Sequence, residues 1–203
     1  MIAELEWAAG RPVSRETFER LEAFVAKLKA ENARQNLVSA ATLENFWQRH
    51  ILDSAQLVRF EPHPGASWAD IGSGAGLPGI VIACLVERPV TLIEPRKLRA
   101  DFLQRIVAEL RLNAMIEPKR VERVEGPFDV VTARAVTPLA RLLEISDHLS
   151  TEKTIWILPR GRAAESELAA ARRSWQGMFH VEQSVTDGDS QIIVGTGVRA
   201  KTR

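Results

Sequence analysis

Cysteine is nearly missing from the chain, and its scarcity removes several kinds of protein. Cys84 is the only cysteine among the 203 residues, so no disulfide can form within the chain and a zinc site built from two or four cysteines is excluded. The formal net charge is only +1 at pH 7. Overall charge therefore gives no evidence for nucleic acid binding, and any such contact must come from local clusters of arginine and lysine.

Signals for export and for membrane insertion are missing as well. Residues 1–6 lack the basic start and apolar segment of a signal peptide. The apolar run over residues 80–85 is too short to span a membrane. No zinc-ligand spacing and no Ser-His-Asp spacing is visible. We therefore expect a cytoplasmic protein that binds no metal and no membrane, and we expect it to act as a monomer.

The residues that are present follow the pattern of an α/β protein with an N-terminal helical extension. Apolar residues recur at helical spacing over residues 14–57, with Ser14 as the predicted N-cap of a first helix and a second helical stretch over residues 42–57. Residues 61–65 contain two prolines and a glycine and break this pattern. The sequence thus predicts a helical extension over residues 1–60 and a second domain over residues 66–203.

Short apolar segments alternate with helix-length segments in this second domain. Helices are predicted at residues 77–86, 97–110, 138–147 and 163–175. Strands are predicted at residues 67–71, 90–94, 114–117, 128–133, 154–158, 180–185 and 191–195. This alternation indicates a mostly parallel seven-stranded sheet with helices on both faces. The last two strands, joined by residues 186–189, are expected to form an antiparallel hairpin at one edge.

Residues 70–79 carry the strongest local signal, because this D-I-G-S-G-A-G-L-P-G run follows a predicted strand and opens a predicted helix. Gly72, Gly74 and Gly76 have G-x-G-x-G spacing, whereas dinucleotide enzymes use G-x-G-x-x-G to place a pyrophosphate at a helix N-terminus. S-adenosylmethionine has no phosphate, so a tighter loop can lie against its methionyl and ribose parts. Such glycines alone are also typical of an ordinary tight turn.

Two acidic residues add to the interpretation of this loop. Glu94 ends the second predicted strand, where a carboxylate can accept hydrogen bonds from both hydroxyls of a ribose. Asp70 ends the first predicted strand and could hold the loop or the amino-acid end of the cofactor. Glu94 alone could equally be a solvated carboxylate at a strand end. The loop, the acidic residue and the strand order together favour a cofactor site.

The sequence lacks the residues that some methyl-transfer reactions require. The Pro-Pro-aromatic motif of enzymes that methylate exocyclic amines does not follow the fourth predicted strand. Methylation at carbon 5 of pyrimidines needs a cysteine nucleophile, and Cys84 lies in a predicted apolar helix where a buried thiol is expected. A ring nitrogen with a free lone pair, such as guanine N7, requires no general base. Positioning alone can supply most of that rate, so no catalytic residue is predicted.

In these features the chain resembles the RsmG (GidB) family of small-subunit rRNA guanine-N7 methyltransferases. The resemblance covers most of the chain from Asn36 on. It rests on Asn36-Leu37, residues 49–54 (R-H-I-L-D-S), residues 70–79, Arg134-Ala135 and Arg160-Gly161. It implies a Rossmann-like class I methyltransferase fold and S-adenosylmethionine as cofactor, with S-adenosylhomocysteine as product. It also implies that the substrate is guanine 527, in the 530 loop of 16S rRNA in the small ribosomal subunit.

The resemblance also assigns residues to the cofactor site. Val121 and Glu122 are expected beside the adenine, and Arg134 near the cofactor carboxylate or RNA. Gly72 and Leu77 are expected to line the same site. Two positions depart from the family pattern: position 94 is often Asp, and position 160 is often Lys where this chain has Arg160. An arginine there changes geometry more than charge.

The residues that contact RNA stay open at this point. His50 and Asp53 have helical spacing, which suits either an RNA-facing or cofactor-covering patch, or a hydrogen bond that docks the N-terminal extension. We take Arg49, His50, Arg134 and Arg160 as candidate RNA contacts. Further basic residues flank predicted strand ends, where they could attract phosphates; they are Arg96, Lys97, Arg99, Lys119, Arg120, Arg123 and Arg162.

Two other functions fit the same sequence. One is a methyltransferase that acts on a small molecule or a protein, which the low net charge leaves open. The other is a non-catalytic ribosome-assembly factor that uses the cofactor only for stability, because intact cofactor-binding residues do not prove turnover.

Overall fold

A seven-stranded sheet forms the centre of the computed structural model, which describes residues 1–39, 44–134 and 136–201. The strand order is β3-β2-β1-β4-β5-β7-β6. Strands β1 to β5 are parallel, and β7 runs antiparallel between β5 and β6. The strands are β1 (Trp68–Ile71), β2 (Val90–Ile93), β3 (Ala114–Glu117), β4 (Val130–Thr132), β5 (Ile155–Arg160), β6 (Trp175–Gln183) and β7 (Gln191–Ala200). The predicted mostly parallel sheet and its antiparallel hairpin are confirmed.

The central strands are buried on both faces, as their nearly continuous apolar sequences require. In β1, Trp68 lies opposite Val90 of β2 and Val130 of β4, and all three side chains are fully buried. Trp156 in β5 is fully buried too. Separate hydrophobic clusters cover the two faces of the sheet, so both tryptophans belong to the core, as their strand positions predict.

Helices connect the parallel strands and cover the sheet. They are α4 (Gly79–Leu85), α5 (Lys97–Glu109), α6 (Leu139–Ser146) and α7 (Ala164–Ala171). Short 3-10 helices follow β3 at Val121–Arg123 and α6 at Asp147–Leu149. Among the described residues, no helix is both long enough and apolar enough to cross a membrane.

Three helical segments precede the sheet among the described residues: α1 (Ile2–Ala9), α2 (Arg15–Gln35) and α3. We use α3 for a continuous segment made of a π-helix at Trp47–Leu52, a helical turn at Asp53–Ala55 and a 3-10 helix at Gln56–Phe60. The Ser14 hydroxyl accepts a hydrogen bond from the amide of Thr17 at 3.1 Å, which confirms the predicted N-cap. Residues 40–43, where the second helical stretch was predicted to begin, lie outside the described residues.

The N-terminal segments share a hydrophobic core with one face of the sheet. Phe24 of α2 and Leu57 of α3 are fully buried in the same cluster as Ile80 of α4. Arg11 forms an ion pair with Glu61 at 2.8 Å and donates to the carbonyl of Val58 at 2.7 Å. Arg11 therefore anchors the start of the irregular connection that begins at Glu61.

Several predicted boundaries in the C-terminal part are wrong, including the end of the strand predicted at residues 191–195, because β7 extends to Ala200. Residues 163–175 were predicted as one helix, but α7 ends at Ala171 and Trp175 begins β6. Trp175 pairs with Ala200 of β7, and its side chain is buried. Pairing with Ala200, which lies 25 residues further along the chain, overrides the local helical periodicity. Strand β6 therefore starts well before residue 180, where the sequence predicts it.

Candidate cofactor and substrate site

The glycine loop begins directly after β1 and is tied to the neighbouring strand. The amides of Gly72 and Ser73 both donate to the carbonyl of Ile93, at 2.8 and 3.1 Å. Gly72 has φ of +70°, and a Cβ there would lie 2.7 Å from Cγ2 of Val136. Only glycine combines this backbone conformation with so close a neighbour.

Two of the predicted site residues support the loop from behind. The Asp70 carboxylate accepts from the amide of Gly79 at 3.0 Å, and burial raises the pKa of Asp70 to about 6. Gly76 has φ of +89°, and a Cβ there would lie 2.7 Å from Cγ1 of Ile80 in the core. Neither residue lines the cavity described below. Their position favours a role in shaping the loop.

Glu94, at the end of β2, closes the loop from the opposite side. Its side chain is buried, with 3% of the residue exposed. Oε2 accepts from the amide of Gly74 at 2.9 Å, and Oε1 accepts from the amide of Arg96 at 2.8 Å. Each carboxylate oxygen has two lone pairs, so each can accept one more hydrogen bond. The carboxylate thus holds the loop and keeps acceptor capacity toward the cavity.

A cavity of about 500 Å³ lies over these residues at the carboxyl ends of β1, β2 and β4. This is the edge where open α/β sheets bind ligands, and the volume is within the usual range for small-molecule sites. Among the predicted residues its lining includes Gly72, Gly74, Leu77, Glu94, Val121, Glu122 and Arg134.

Residues outside the predicted cofactor set also line this cavity. Leu37 and Val38 come from the segment that follows α2, and Arg96, Arg99 and Arg120 follow β2 and β3. The sequence marked these arginines as a basic cluster but not as parts of the cofactor site. Leu37 carried the family resemblance, yet no motif indicated that it covers a ligand cavity.

A second cavity of about 420 Å³ adjoins the first, and Arg134 and Val136 line both. Its lining also includes Asp53 of α3, Pro138 before α6, Glu167 of α7, and Arg160 at the end of β5. Arg160 is buried, so it lies inside the site and not on the outer surface. A purely surface role for this predicted RNA contact is thereby disfavoured.

Arg134 lies between the two cavities and is held by α3. Its Nη1 is 3.2 Å from Nδ1 of His50 and 3.8 Å from Oδ2 of Asp53. Burial, together with the nearby charges of Arg134 and Arg49, lowers the pKa of His50 to about 4. His50 is therefore neutral at neutral pH, and its Nδ1 can accept the hydrogen bond from the guanidinium.

Asp53 extends these contacts to the C-terminal hairpin. Its Oδ1 accepts from Nε2 of Gln56 at 2.8 Å and from the hydroxyl of Thr186 at 3.3 Å. Burial raises the pKa of Asp53. His50 and Asp53 thus dock α3 against the end of β4 and the hairpin. Arg49 is exposed beside an open cavity of about 630 Å³, which leaves it free to contact a ligand.

Cys84 lies buried in α4, away from the three cavities described above. Burial raises the pKa of its thiol to about 12, whereas a nucleophilic cysteine needs a thiolate near neutral pH. The expected core thiol is confirmed. Within the described ranges, no group of three or more His, Cys, Asp or Glu side chains is arranged to hold a metal ion.

Solved structures define the class of this fold. Magnesium protoporphyrin IX methyltransferase (ChlM) from Synechocystis PCC 6803, solved with bound S-adenosylmethionine, aligns with a TM-score of 0.58 and 14% identity, covering 91% of this chain and 98% of that one. TrmN from Thermus thermophilus aligns with a TM-score of 0.59 and 16% identity, covering 72% of this chain and 48% of that one. The fold is that of a Rossmann-like class I methyltransferase, as predicted.

Sequence comparison identifies the family within this class. The profile of the GidB family, described as rRNA small subunit methyltransferase G, matches residues 17–193. The ribosomal RNA small subunit methyltransferase G of Sphingopyxis alaskensis is 50% identical, over 91% of this chain and 80% of its own length. That of Erythrobacter litoralis is 49% identical, over 91% and 90%. The chain belongs to the ribosomal RNA small subunit methyltransferase G family, which confirms the resemblance seen in the sequence.

Proposed function

We propose that this protein transfers a methyl group from S-adenosylmethionine to N7 of guanine 527 in 16S rRNA. Membership in the family supports an rRNA substrate, and the resemblance of the motifs suggests the position. The observation that carries the proposal is the pair of adjoining cavities. One is lined by the glycine loop and Glu94, the other by polar and basic side chains, and Arg134 borders both.

The residues of the first cavity fit the proposed cofactor. The Glu94 oxygens have free acceptor capacity for the two ribose hydroxyls, and Gly72 and Gly74 line the same cavity, so their backbone can lie against a ligand. Val121 and Glu122 offer an amide and a carboxylate beside the adenine. The Arg134 guanidinium suits the carboxylate of the methionyl part.

When bound, S-adenosylmethionine supplies an electrophilic methyl group on a positively charged sulfur. The N7 lone pair of guanine carries no proton, so the reaction requires no general base. The protein has to position the guanine and exclude water. Two facts agree with this division of work. His50 already accepts a hydrogen bond from Arg134, and the buried thiol of Cys84 has a raised pKa.

The RNA contacts belong to the basic side chains around the cavities. Arg49 is exposed at the third cavity, and Arg96, Arg99 and Arg120 line the first one. Arginines at these positions can bind the phosphates that flank the target base. We propose the small ribosomal subunit or its 16S rRNA as the partner of a monomeric enzyme.

The test is to delete the gene and probe 16S rRNA for 7-methylguanosine by reduction and aniline cleavage. We expect cleavage at position 527 in the parent strain, its loss in the deletion strain, and its return with the wild-type gene. Complementation with Glu94→Ala should restore little cleavage, whereas Glu125→Ala, which alters an exposed glutamate, should restore it fully. Cleavage at position 527 that persists in the deletion strain refutes the proposed substrate.

A further inference from the structure

A buried arginine in the second cavity lacks a full set of hydrogen-bond partners. Arg160 is 7% exposed, and its Nη2 has no partner among the described residues. Its Nη1 reaches only the carbonyls of Ala133 and Pro159, both at 3.4 Å. A buried guanidinium nitrogen without an acceptor is costly. We therefore expect a ligand to supply an acceptor at this point.

A carboxylate lies beside this arginine and faces the same cavity. Oε2 of Glu167 is 3.3 Å from Nε of Arg160 and accepts from the amide of Leu139 at 3.1 Å. No described residue donates a hydrogen bond to Oε1 of Glu167. The other carboxylate of the cavity, Asp53, is already engaged by Gln56 and Thr186 through its Oδ1. Arg160 and Glu167 thus present a donor and an acceptor side by side.

This donor and acceptor pair matches one edge of guanine. On its Watson–Crick edge, guanine carries the acceptor O6 next to the donors N1–H and N2–H, whereas adenine carries a donor at N6 next to the acceptor N1. We propose that Arg160 and Glu167 recognise the Watson–Crick edge of the accepting guanine, Arg160 by donating to O6 and Glu167 by accepting from N1–H and N2–H. The inference rests on the proposed function, since it assigns the base site of that reaction.

Other features of the cavity agree with a base-binding role. Val136, Pro138 and Ile192 contribute apolar surface to its walls, and such surface suits the faces of a purine. Recognition of the Watson–Crick edge leaves N7, which lies on the adjacent Hoogsteen edge, free to react. It also requires that the base be unpaired and turned out of the RNA, as is usual for sequence-specific RNA recognition and for enzymes that modify bases.

The first test uses the wild-type protein and needs no methyl transfer. The protein is loaded with S-adenosylhomocysteine and titrated with guanosine, inosine and adenosine monophosphates while binding is followed by NMR. We expect the guanosine nucleotide to bind at least about tenfold more tightly than the adenosine nucleotide, because each mismatched group leaves a buried partner unpaired. Inosine, which lacks N2, should fall between them. If the guanosine and adenosine nucleotides bind with equal affinity, the proposal is overturned.

The second test uses two matched variants on α7. Glu167→Gln keeps the side-chain shape but replaces half of the carboxylate by a donor, and Glu165→Gln makes the same change on an exposed side chain of that helix. We expect Glu167→Gln to reduce the preference for guanosine to less than about threefold and Glu165→Gln to retain it. Both should bind S-adenosylhomocysteine like the wild type. A retained preference in Glu167→Gln contradicts the assignment.

Methylation of small subunits separates this inference from the proposed function. If guanine 527 is methylated but nucleotide binding shows no guanosine preference, the base site is wrong and the reaction stands. If guanosine is preferred and Glu167→Gln abolishes that preference while guanine 527 stays unmethylated, the reaction is wrong and the guanosine site stands. Should Glu167→Gln fail to fold, the nucleotide series on the wild type decides.

Discussion

Replacing Glu94 by alanine removes the one carboxylate that both holds the glycine loop and faces the first cavity. Its two oxygens accept from the amides of Gly74 and Arg96 and keep one lone pair each for a ligand. A hydrogen bond to a charged group is worth about 1.5–3 kcal/mol, so loss of two ribose hydroxyl contacts costs about 3–6 kcal/mol. This corresponds to a dissociation constant roughly 10²- to 10⁴-fold higher.

Isothermal titration of S-adenosylhomocysteine into the purified protein measures this change. Glu125→Ala is the matched control, because it removes an exposed carboxylate that does not line the cavity. Glu94→Gln should bind with intermediate affinity, since it retains one acceptor oxygen but turns a donor toward a backbone amide. Circular dichroism confirms that each variant is folded at the temperature used. A dissociation constant for Glu94→Ala within about threefold of the wild type refutes the role of this carboxylate.

Three further predictions concern Gly76 in the glycine loop, His50 in α3 and Cys84 in α4. Gly76→Ala should destabilise the fold by about 2–4 kcal/mol in urea unfolding, because its Cβ would lie 2.7 Å from Ile80 at a φ of +89°; an unchanged midpoint contradicts this packing. The pKa of His50 is lowered from 6.5 to about 4. As the pH drops, His50 is therefore protonated in the unfolded chain at a higher pH than in the folded protein. The free energy of unfolding of the wild type falls between about pH 6.5 and pH 4 as a result. His50→Gln should show a smaller fall over that range, and parallel stability curves argue against a neutral His50. Cys84→Ala should keep the methylation rate of small subunits within about twofold, whereas loss of activity without unfolding would indicate a thiol mechanism.

Much of the fold follows from local sequence patterns. The alternation of apolar segments with helical ones predicts the seven strands, and the hairpin signal at residues 186–189 predicts the antiparallel edge. The first helix, Ile2–Ala9, was missed. Its buried residues include Leu5 and Ala8, and its short span shows little helical periodicity. Boundaries failed where long-range pairing decides, as at Trp175, which joins a strand because β7 pairs with it.

In the candidate site, too, the sequence predicts some residues and misses contacts that depend on packing. Gly72, Glu94 and Arg134 were predicted because they lie in or next to a motif, and the structure brings all three to one cavity. The pairing of Arg160 with Glu167 brings together side chains from the end of β5 and from α7, and no local sequence pattern predicts that contact. Likewise, helical spacing gave no sign that His50 contacts Arg134, because that contact depends on how α3 lies against the end of β4.

The most direct test combines the purified protein, S-adenosylmethionine labelled on its methyl group, and small ribosomal subunits from the deletion strain. Digestion of the rRNA and mass spectrometry locate the label. We predict one labelled nucleotide, 7-methylguanosine at position 527, formed by the wild type and hardly at all by Glu94→Ala. Label on another atom or nucleotide, or none on RNA despite tight cofactor binding, would contradict the proposed reaction.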